Sequence, residues 1–366
     1  MEVIGIIAEY NPFHNGHLYQ INTVKELYPE SLIVVILNGY FLQRGEMSVL
    51  TKEEKTKLAL DYGVNIVIEL PFVFGCQSAD TFADTSIKLL HEFKITKLIF
   101  GSESDNINTL EQIARKQIDS QLDIKKYLDE GMNYPTALKK ALNIEFDYNS
   151  PNDLLGISYI KSILKNNFNI KYESIKRTND YHDIKSNDDV VSASNIRVKL
   201  KNKEDISKYI PFDINKYNFK NNDIFNYLKY EIITNKNLDK ILSVDEGLDY
   251  KLKKEIVKTN SCKELIKKIK SKRYTYNRIN RMFIHILINL LKEDAKLPLD
   301  YIKILGFDKD GKKYLNKIKK DISLPVYSNS FESKIKDYEL KVSLIYDLLN
   351  NTNTYEYEIK NKPLIK

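Results

Sequence analysis

The chain has 366 residues, which corresponds to about two domains. Hydrophobic residues make up 42% and charged residues 29%, ordinary globular values that exclude wholesale disorder, collagen and a disulfide-stapled miniprotein. We expect no membrane span and no secretory signal, because no apolar run is long enough to cross a bilayer and residues 1–37 lack the signal pattern. Cys76 and Cys262 lie too far apart for a zinc knuckle or a redox pair, which favours a reducing cytoplasm.

The charge is distributed unevenly along the chain. The net charge of +7 combines 22 basic and 27 acidic residues in 1–200 with 35 basic and 23 acidic residues in 201–366. Between Lys251 and Leu290 there are 12 basic and 2 acidic side chains. Such a surface suits a polyanion, although Lys-rich helices also carry charge simply to remain solvated.

The first hundred residues alternate between apolar runs and amphipathic segments. Residues 3–8 are a short apolar run of the kind buried on both faces of a parallel sheet. Three-residue spacing of Leu18, Ile21 and Val24 predicts a helix over 17–27. Further strands are predicted at 32–37, 65–70 and 97–100, separated by helices at 52–62 and 79–93. This order predicts an α/β fold with a doubly wound parallel sheet.

The later part of the chain is predominantly helical. The pattern is helical from Gly101 to residue 168, and one more strand is predicted at 170–176. Ser192 and Asn195 supply caps for a short helix. From about residue 203, Lys, Asn, Ile and Tyr dominate with helical Ile/Leu spacing. We therefore predict an α/β domain at residues 1–202 and a second, mainly α-helical basic domain at residues 203–366.

The loop after the first strand is the first place to look for a ligand, because ligands of doubly wound sheets bind at the carboxyl ends of strands. His14 and His17 flank Gly16 where the next helix begins. Free N–H groups, the positive end of the helix dipole and two imidazole donors together predict a phosphate site. A metal pair on one helical face is the alternative, and it would need a third ligand that no spacing indicates.

Several motifs resemble a known family. His14-Asn15-Gly16-His17 matches the HxGH signature of the nucleotidyltransferase superfamily. The longer set resembles the bacterial tRNA(Met) cytidine acetate ligase family: residues 8–17 (AEYNPFHNGH), 41–46 (FLQRGE), 67–71 (VIELP), 77–79 (QSA), 152–156 (NDLLG) and 304–307 (ILGF). Met47 departs from the proline that the family usually carries after Glu46.

The resemblance implies a Rossmann-like fold of the HIGH nucleotidyltransferase type and a two-step ligase. ATP and acetate give acetyl-adenylate, and the acetyl group passes to the N4 amine of the wobble cytidine of elongator tRNA(Met). Acetate is already ionised at neutral pH, so the first step needs alignment and phosphate stabilisation more than a general base. Magnesium is expected with ATP, but no protein ligand for it is identified. No membrane partner and no protein partner is indicated.

The resemblance also implies the nucleotide contacts, with His14 and His17 as the catalytic pair. One contact segment is continuous: Ile7, Ala8, Glu9, Tyr10, Asn11, Pro12, Phe13, His14, Asn15, Gly16, His17, Leu18, Tyr19 and Gln20. The remaining implied contacts are Gly101, Asn152, Arg177, Ser194 and Arg197. Without the family context, Gly101 would be a strand-end turn, Arg177 a surface ion pair, and residues 192–197 an ordinary capped helix.

The basic half is the expected tRNA-binding region. The cluster Lys272, Arg273, Arg278 and Arg281 is a candidate for phosphate contacts, with Tyr274 or Tyr276 stacking on a base. Glu69, at the end of a strand, is either structural or turned towards the substrate. Two rival functions remain: an adenylyl or cytidylyl transferase acting on a small metabolite, and a nucleotide-sensing RNA-binding protein without turnover.

Overall fold

A seven-stranded mixed sheet lies at the centre of the protein. The computed structural model describes residues 1–142, 150–177, 191–220, 222–245, 247–327, 331–360 and 362–366. The strands are β1 (Val3–Ala8), β2 (Leu32–Asn38), β3 (Ile66–Leu70), β4 (Lys97–Ser102), β5 (Lys171–Lys176), β6 (Ile304–Phe307) and β7 (Leu364–Ile365). Their order across the sheet is β5-β4-β1-β2-β3-β6-β7.

The first five strands are parallel, as the alternation of apolar runs predicts. The helices among them are α1 (Asn15–Leu27), α2 (Lys52–Asp61), α3 (Phe72–Gly75), α4 (Ala79–Glu92), α5 (Ile107–Asp119), α6 (Gln121–Asp129), α7 (Tyr134–Leu142) and α8 (Pro151–Lys165). β1, β2 and β3 are almost wholly buried because helices cover both faces of the sheet. The predicted doubly wound α/β fold is confirmed.

The second half is mainly helical but also extends the sheet. Its helices are α9 (Ala193–Lys201), α10 (Phe225–Thr234), α11 (Leu248–Ile256), α12 (Cys262–Ile269), α13 (Tyr276–Ile288), α14 (Lys309–Ile318), α15 (Lys334–Asn350) and α16 (Thr354–Lys360). Short 3₁₀ turns occur at Ser207–Tyr209, Ile214–Lys216, Leu238–Lys240 and Asp294–Lys296. β6 pairs antiparallel with β3, and β7 pairs parallel with β6. The sequence did not predict these two strands, and the division at residue 202 stays a prediction.

A buried charge network joins the two halves beneath β3. The ammonium of Lys52 contacts Glu69, Glu339 at 3.1 Å and Glu358 at 2.8 Å, and Lys303 contacts Glu358. All five side chains are at least 96% buried. Burial raises the pKa of Glu339 to about 7, and the neighbouring Glu69 carboxylate acts in the same direction. Glu69 therefore has a structural role.

Candidate active site

A cavity of about 220 Å³ opens where the strand order reverses. β1 lies between β2 and β4, so the loops that leave β1 and β4 turn to opposite faces of the sheet and leave a crevice between them. Glu9 and Tyr10 line the cavity from the β1 side, and Phe100 and Gly101 line it from the β4 side. The site therefore lies at the switch point where such folds bind nucleotides.

His14 and His17 are held in one tautomer by the start of α1. His14 is the N-cap, and its Nδ1 accepts the Gly16 N–H at 2.9 Å. Nδ1 of His17 accepts the His14 N–H at 3.3 Å, so both rings carry their proton on Nε2. The ring centroids are 3.9 Å apart. Burial lowers the pKa of His14 to about 3 and that of His17 well below its ordinary value, so both rings are neutral donors.

The backbone beside the histidines rests on a buried lysine that sequence reasoning missed. Nζ of Lys55, on α2, donates to the carbonyls of Asn38 and Gly39 at 2.7 Å each and of Glu9 at 3.1 Å. Lys55 is fully buried. Three carbonyl acceptors match the three N–H donors that Lys55 carries when it is protonated. Lys55 thus ties the end of β1 to the end of β2 directly beneath the cavity.

The carboxylate of Glu9 links the β1 end to the β2 loop, which we define as residues 39–47. Its Oε1 accepts from Asn38 Nδ2 at 3.0 Å and from the Gln43 N–H at 2.8 Å. Gln43 in turn donates through Nε2 to the carbonyl of Gln77 at 3.0 Å. The β2 loop is therefore fixed at two points and forms one wall of the cavity.

Reciprocal capping brings Gly101 and Asn152 together. The Glu103 carboxylate accepts the Asn152 and Asp153 N–H groups at the start of α8, at 3.1 and 3.0 Å. The Asp153 carboxylate accepts the Glu103 and Ser104 N–H groups at 3.0 and 3.1 Å. Each acidic side chain thus satisfies backbone donors of the other segment. The β4 end and the α8 start therefore meet at the cavity edge.

Two arginines face the histidines across the cavity. Arg177 packs against Gly101, where an added Cβ would lie 3.5 Å from the Arg177 side chain, and its buried Nε has no hydrogen-bond partner among the described residues. Arg197 donates to the Asn11 carbonyl at 2.9 Å and to Ser194 Oγ at 3.1 Å, and it pairs with Glu46 at 2.7 Å. Imidazole donors on one side and guanidinium groups on the other are the kinds of group that bind phosphates in proteins.

Comparisons with known proteins agree with this geometry. A family model described as HIGH nucleotidyl transferase matches residues 1–362. The tRNA(Met) cytidine acetate ligase of Geobacillus sp. (strain WCH70) is 36% identical over 401 residues and spans 100% of both chains. The enzyme of that name from Bacillus subtilis (strain 168) is 36% identical over 384 residues, covering 95% of this chain and 92% of its own. This chain belongs to the tRNA(Met) cytidine acetate ligase family.

Solved structures of a family member have the same fold. The crystal structure of Thermotoga maritima TmcAL bound with alpha-thio ATP superposes with a TM-score of 0.87 at 28% identity, covering 100% of this chain and 99% of that one. The apo form of the same protein gives a TM-score of 0.90. The Rossmann-like fold of the HIGH type, expected from the family resemblance, is therefore confirmed.

Most residues that the family resemblance implied at the nucleotide line this one cavity. They are Ile7, Ala8, Glu9, Tyr10, Asn11, His14, Gly16, His17, Tyr19, Gln20, Gly101, Asn152, Arg177, Ser194 and Arg197. Four members of the continuous segment do not line it: Pro12, Phe13, Asn15 and Leu18. Phe13 is buried in the core, and Asn15 donates to the Lys208 carbonyl at 2.9 Å. The individual contacts with ATP stay predictions.

One end of the cavity is apolar, which the motifs did not indicate. Phe82 on α4, Phe100 on β4, and Leu155 and Tyr159 on α8 form this wall. Phe100 and Tyr159 meet edge to face, with ring centroids 5.8 Å apart. These residues look like ordinary core positions in the sequence, because only the packing of α4 against α8 brings them to the cavity.

The four residues predicted to bind tRNA occupy different environments. Lys272 is exposed, and Arg273 is partly buried. Arg278 pairs with Asp245 at 3.3 Å and lies over the Tyr274 ring at 4.5 Å. Tyr274 is only 6% exposed and Tyr276 is 52% exposed, so the prediction that one of the two stacks on a base stays with Tyr276. Arg281 points towards the β2 loop rather than along the basic surface.

The described part of the cavity wall forms no carboxylate cage for magnesium. The described residues contain no group of three or more His, Cys, Asp or Glu able to hold a metal ion. The two described carboxylates that line the cavity already have partners: Glu9 accepts from Asn38, and Glu46 pairs with Arg197. The described residues therefore do not fit a protein-held cation.

Proposed function

We propose that this protein is an ATP-dependent tRNA acetate ligase that forms N4-acetylcytidine at the wobble position of elongator tRNA(Met). The single observation that carries the proposal is the pair of neutral imidazoles with Nε2–H donors at the start of α1, facing two arginines in a chain of this family. The names of the curated relatives supply the substrate. We place the protein in the cytoplasm, where its tRNA would be found.

In the first step, a carboxylate oxygen of acetate attacks the α-phosphorus of ATP and pyrophosphate leaves, giving acetyl-adenylate. The Nε2–H groups of His14 and His17 donate to the phosphate oxygens as negative charge builds up. Arg177 and Arg197 bind the β- and γ-phosphates and stabilise the leaving pyrophosphate. Neither ring needs to accept a proton, which agrees with pKa values lowered by burial.

In the second step, the N4 amine of the cytidine attacks the acetyl carbonyl, and AMP leaves with the bonding electrons. The amine loses one proton to the solvent as the amide forms. The attacking base must reach the cavity in an unstacked form, which an anticodon loop offers more readily than a duplex does. The basic helices α11 and α12 would hold the tRNA backbone, with Lys272 and Arg273 beyond the end of α12.

The proposal is tested by incubating the protein with ATP, labelled acetate and bulk tRNA, followed by nucleoside analysis. The expected product is labelled N4-acetylcytidine, and exchange of pyrophosphate into ATP should depend on acetate but not on tRNA. Label on no nucleoside, with folded protein, would refute acetyl transfer. Turnover of a small metabolite without RNA would instead support the adenylyl or cytidylyl transferase alternative.

A further inference from the structure

The β2 loop and helix α13 touch at the level of their backbones. Gly45 has a φ of +73°, and a Cβ added there would lie 2.3 Å from the backbone nitrogen of Arg281 and from the carbonyl carbon of Asn280. Only glycine fits such an approach without displacing one segment. Helix α13, from the basic half, therefore presses directly against a wall of the nucleotide cavity.

Two side chains of α13 reinforce this contact. The guanidinium of Arg281 donates to the carbonyl of Gln43 at 3.4 Å. One turn further on, Nε2 of His285 donates to the carbonyl of Cys76 at 2.7 Å. Residues four apart share one helical face. That face of α13 is turned towards the β2 loop and the segment that precedes α4.

The charge of Arg281 is directed inwards. Arg281 is partly buried, and burial lowers the pKa of its guanidinium, with the nearby Arg278 and Arg44 acting in the same direction. A desolvated cation costs free energy unless polar groups face it, and the Gln43 carbonyl is such a group. Lys272, by contrast, is exposed to solvent and available to a phosphate.

From Gln43 the contact continues to the catalytic groups. The Gln43 N–H donates to Glu9 at 2.8 Å. At the other end of the β2 loop, Glu46 pairs at 2.7 Å with Arg197, which also binds the Asn11 carbonyl. A displacement of the β2 loop would therefore move both the β1 end and the arginine that faces the histidines.

We propose that Arg281 is a positioning residue for adenylyl transfer, holding the β2 loop against the cavity, and is not a tRNA phosphate contact. The proposal rests on the proposed function, because adenylyl transfer is the step it affects. It changes the role that the sequence pattern predicted for Arg281. It also means that the helical half contributes to acetate activation before any tRNA is bound.

The test compares the Arg281→Gln variant with a control variant, Arg115→Gln. In the wild type, Arg115 pairs with Glu111 on the surface of α5. Acetate-dependent pyrophosphate exchange without tRNA should show kcat about tenfold lower in Arg281→Gln, with the KM for ATP changed less than about threefold. The salt dependence of tRNA binding should keep its wild-type slope. Arg115→Gln should match the wild type in both measurements, and Lys272→Gln calibrates the slope change of about 0.7 to 0.9 expected for one lost phosphate contact.

Two results would overturn the proposal. One is a flatter salt dependence of tRNA binding in Arg281→Gln, whatever happens to pyrophosphate exchange. The other is pyrophosphate exchange at the wild-type rate in Arg281→Gln. Gly45→Ala disturbs the same contact from the loop side without altering a charge. It is therefore the second test variant, to be used if Arg281→Gln fails to fold. It should lower the exchange kcat and leave the slope unchanged. Wild-type exchange from Gly45→Ala would also overturn the proposal.

An activity-independent measurement separates this proposal from the proposed function. Amide hydrogens of residues 39–47 should exchange with solvent about tenfold faster in Arg281→Gln than in the wild type. The reason is that loss of one hydrogen bond raises the equilibrium constant for local opening of the loop by about that factor. This holds whether or not acetate is the substrate. An unchanged rate of amide hydrogen exchange in residues 39–47 would refute the positioning role. A wild-type protein that is inactive with acetate would refute only the ligase function.

Discussion

Replacing Lys55 by Met tests whether a buried lysine supports the cavity floor. Its Nζ donates to three backbone carbonyls, those of Glu9, Asn38 and Gly39, at 2.7 to 3.1 Å. Met has a similar length and no donor, so the substitution leaves three buried acceptors without a partner. The same substitution at Lys57, which is exposed on the same helix, is the matched control.

The expected cost follows from these contacts. A buried acceptor left unpaired costs about 1 to 3 kcal/mol, and removal of the buried amine returns part of that sum. We expect Lys55→Met to lower the free energy of unfolding by about 3 to 5 kcal/mol at pH 8, and Lys57→Met to change it by less than about 0.5 kcal/mol. ATP binding should weaken together with the stability, because the Glu9, Asn38 and Gly39 carbonyls beneath the cavity would no longer share a donor.

The pH dependence of this loss has a definite sign. Burial lowers the pKa of Lys55 from 10.5 to about 7, so between these values the unfolded chain binds a proton that the folded chain does not. The stability that this shift contributes is greatest at high pH and is lost progressively as the pH falls to about 7. The deficit of Lys55→Met should therefore be about 1.4 kcal/mol smaller at pH 6 than at pH 8.

Urea denaturation of the wild type, Lys55→Met and Lys57→Met at the two pH values measures all three quantities. Calorimetric titration with ATP supplies the binding readout. A Lys55→Met protein within about 1 kcal/mol of the wild type at pH 8, or one whose deficit grows on acidification, would refute the reasoning.

Three further outcomes are expected at the cavity. His17→Ala should lower the kcat of pyrophosphate exchange about 10²- to 10³-fold with tRNA affinity kept, and a loss below about tenfold would contradict a donor role. The kcat at saturating ATP should show no acid limb near pH 6.5, because the pKa of His14 is lowered to about 3, and a limb there that a His14→Ala variant lacks would mean that this imidazole titrates in the reaction. Glu46→Gln releases Arg197 from a half-exposed ion pair, so ATP should bind up to about fivefold more tightly, and weaker binding in calorimetry would show that the pair assists the nucleotide.

Much of the fold could be predicted because its signals are local. Apolar runs at β1, β2 and β3 are short and uninterrupted, as strands covered on both faces require. The Ser192 cap lies at the start of α9, where the sequence placed it. β6 and β7 were missed because they are 4 and 2 residues long, and because β6 joins the sheet through β3, which is distant in the chain.

The family motifs predicted most residues that line the cavity. They did not predict the residues that support the cavity from behind. His14 and His17 carry a recognisable spacing next to a strand, whereas Lys55 resembles any helical lysine until α2 packs under the strand ends. Arg281 was grouped with the basic cluster because charge is visible in a sequence and the direction of a side chain is not. For the same reason the sequence could not show that Tyr274 is buried and Tyr276 exposed.

The pairing of β6 with β3 has a practical consequence for fragments of this chain. A fragment ending near residue 202 would leave the Ile66–Leu70 main chain as an open edge and would leave Lys52 with Glu69 but without Glu339 and Glu358. Open apolar edges recruit strands from other molecules. We expect this fragment to aggregate when it is expressed alone. We expect it to stay in solution only when the C-terminal fragment is expressed in the same cell.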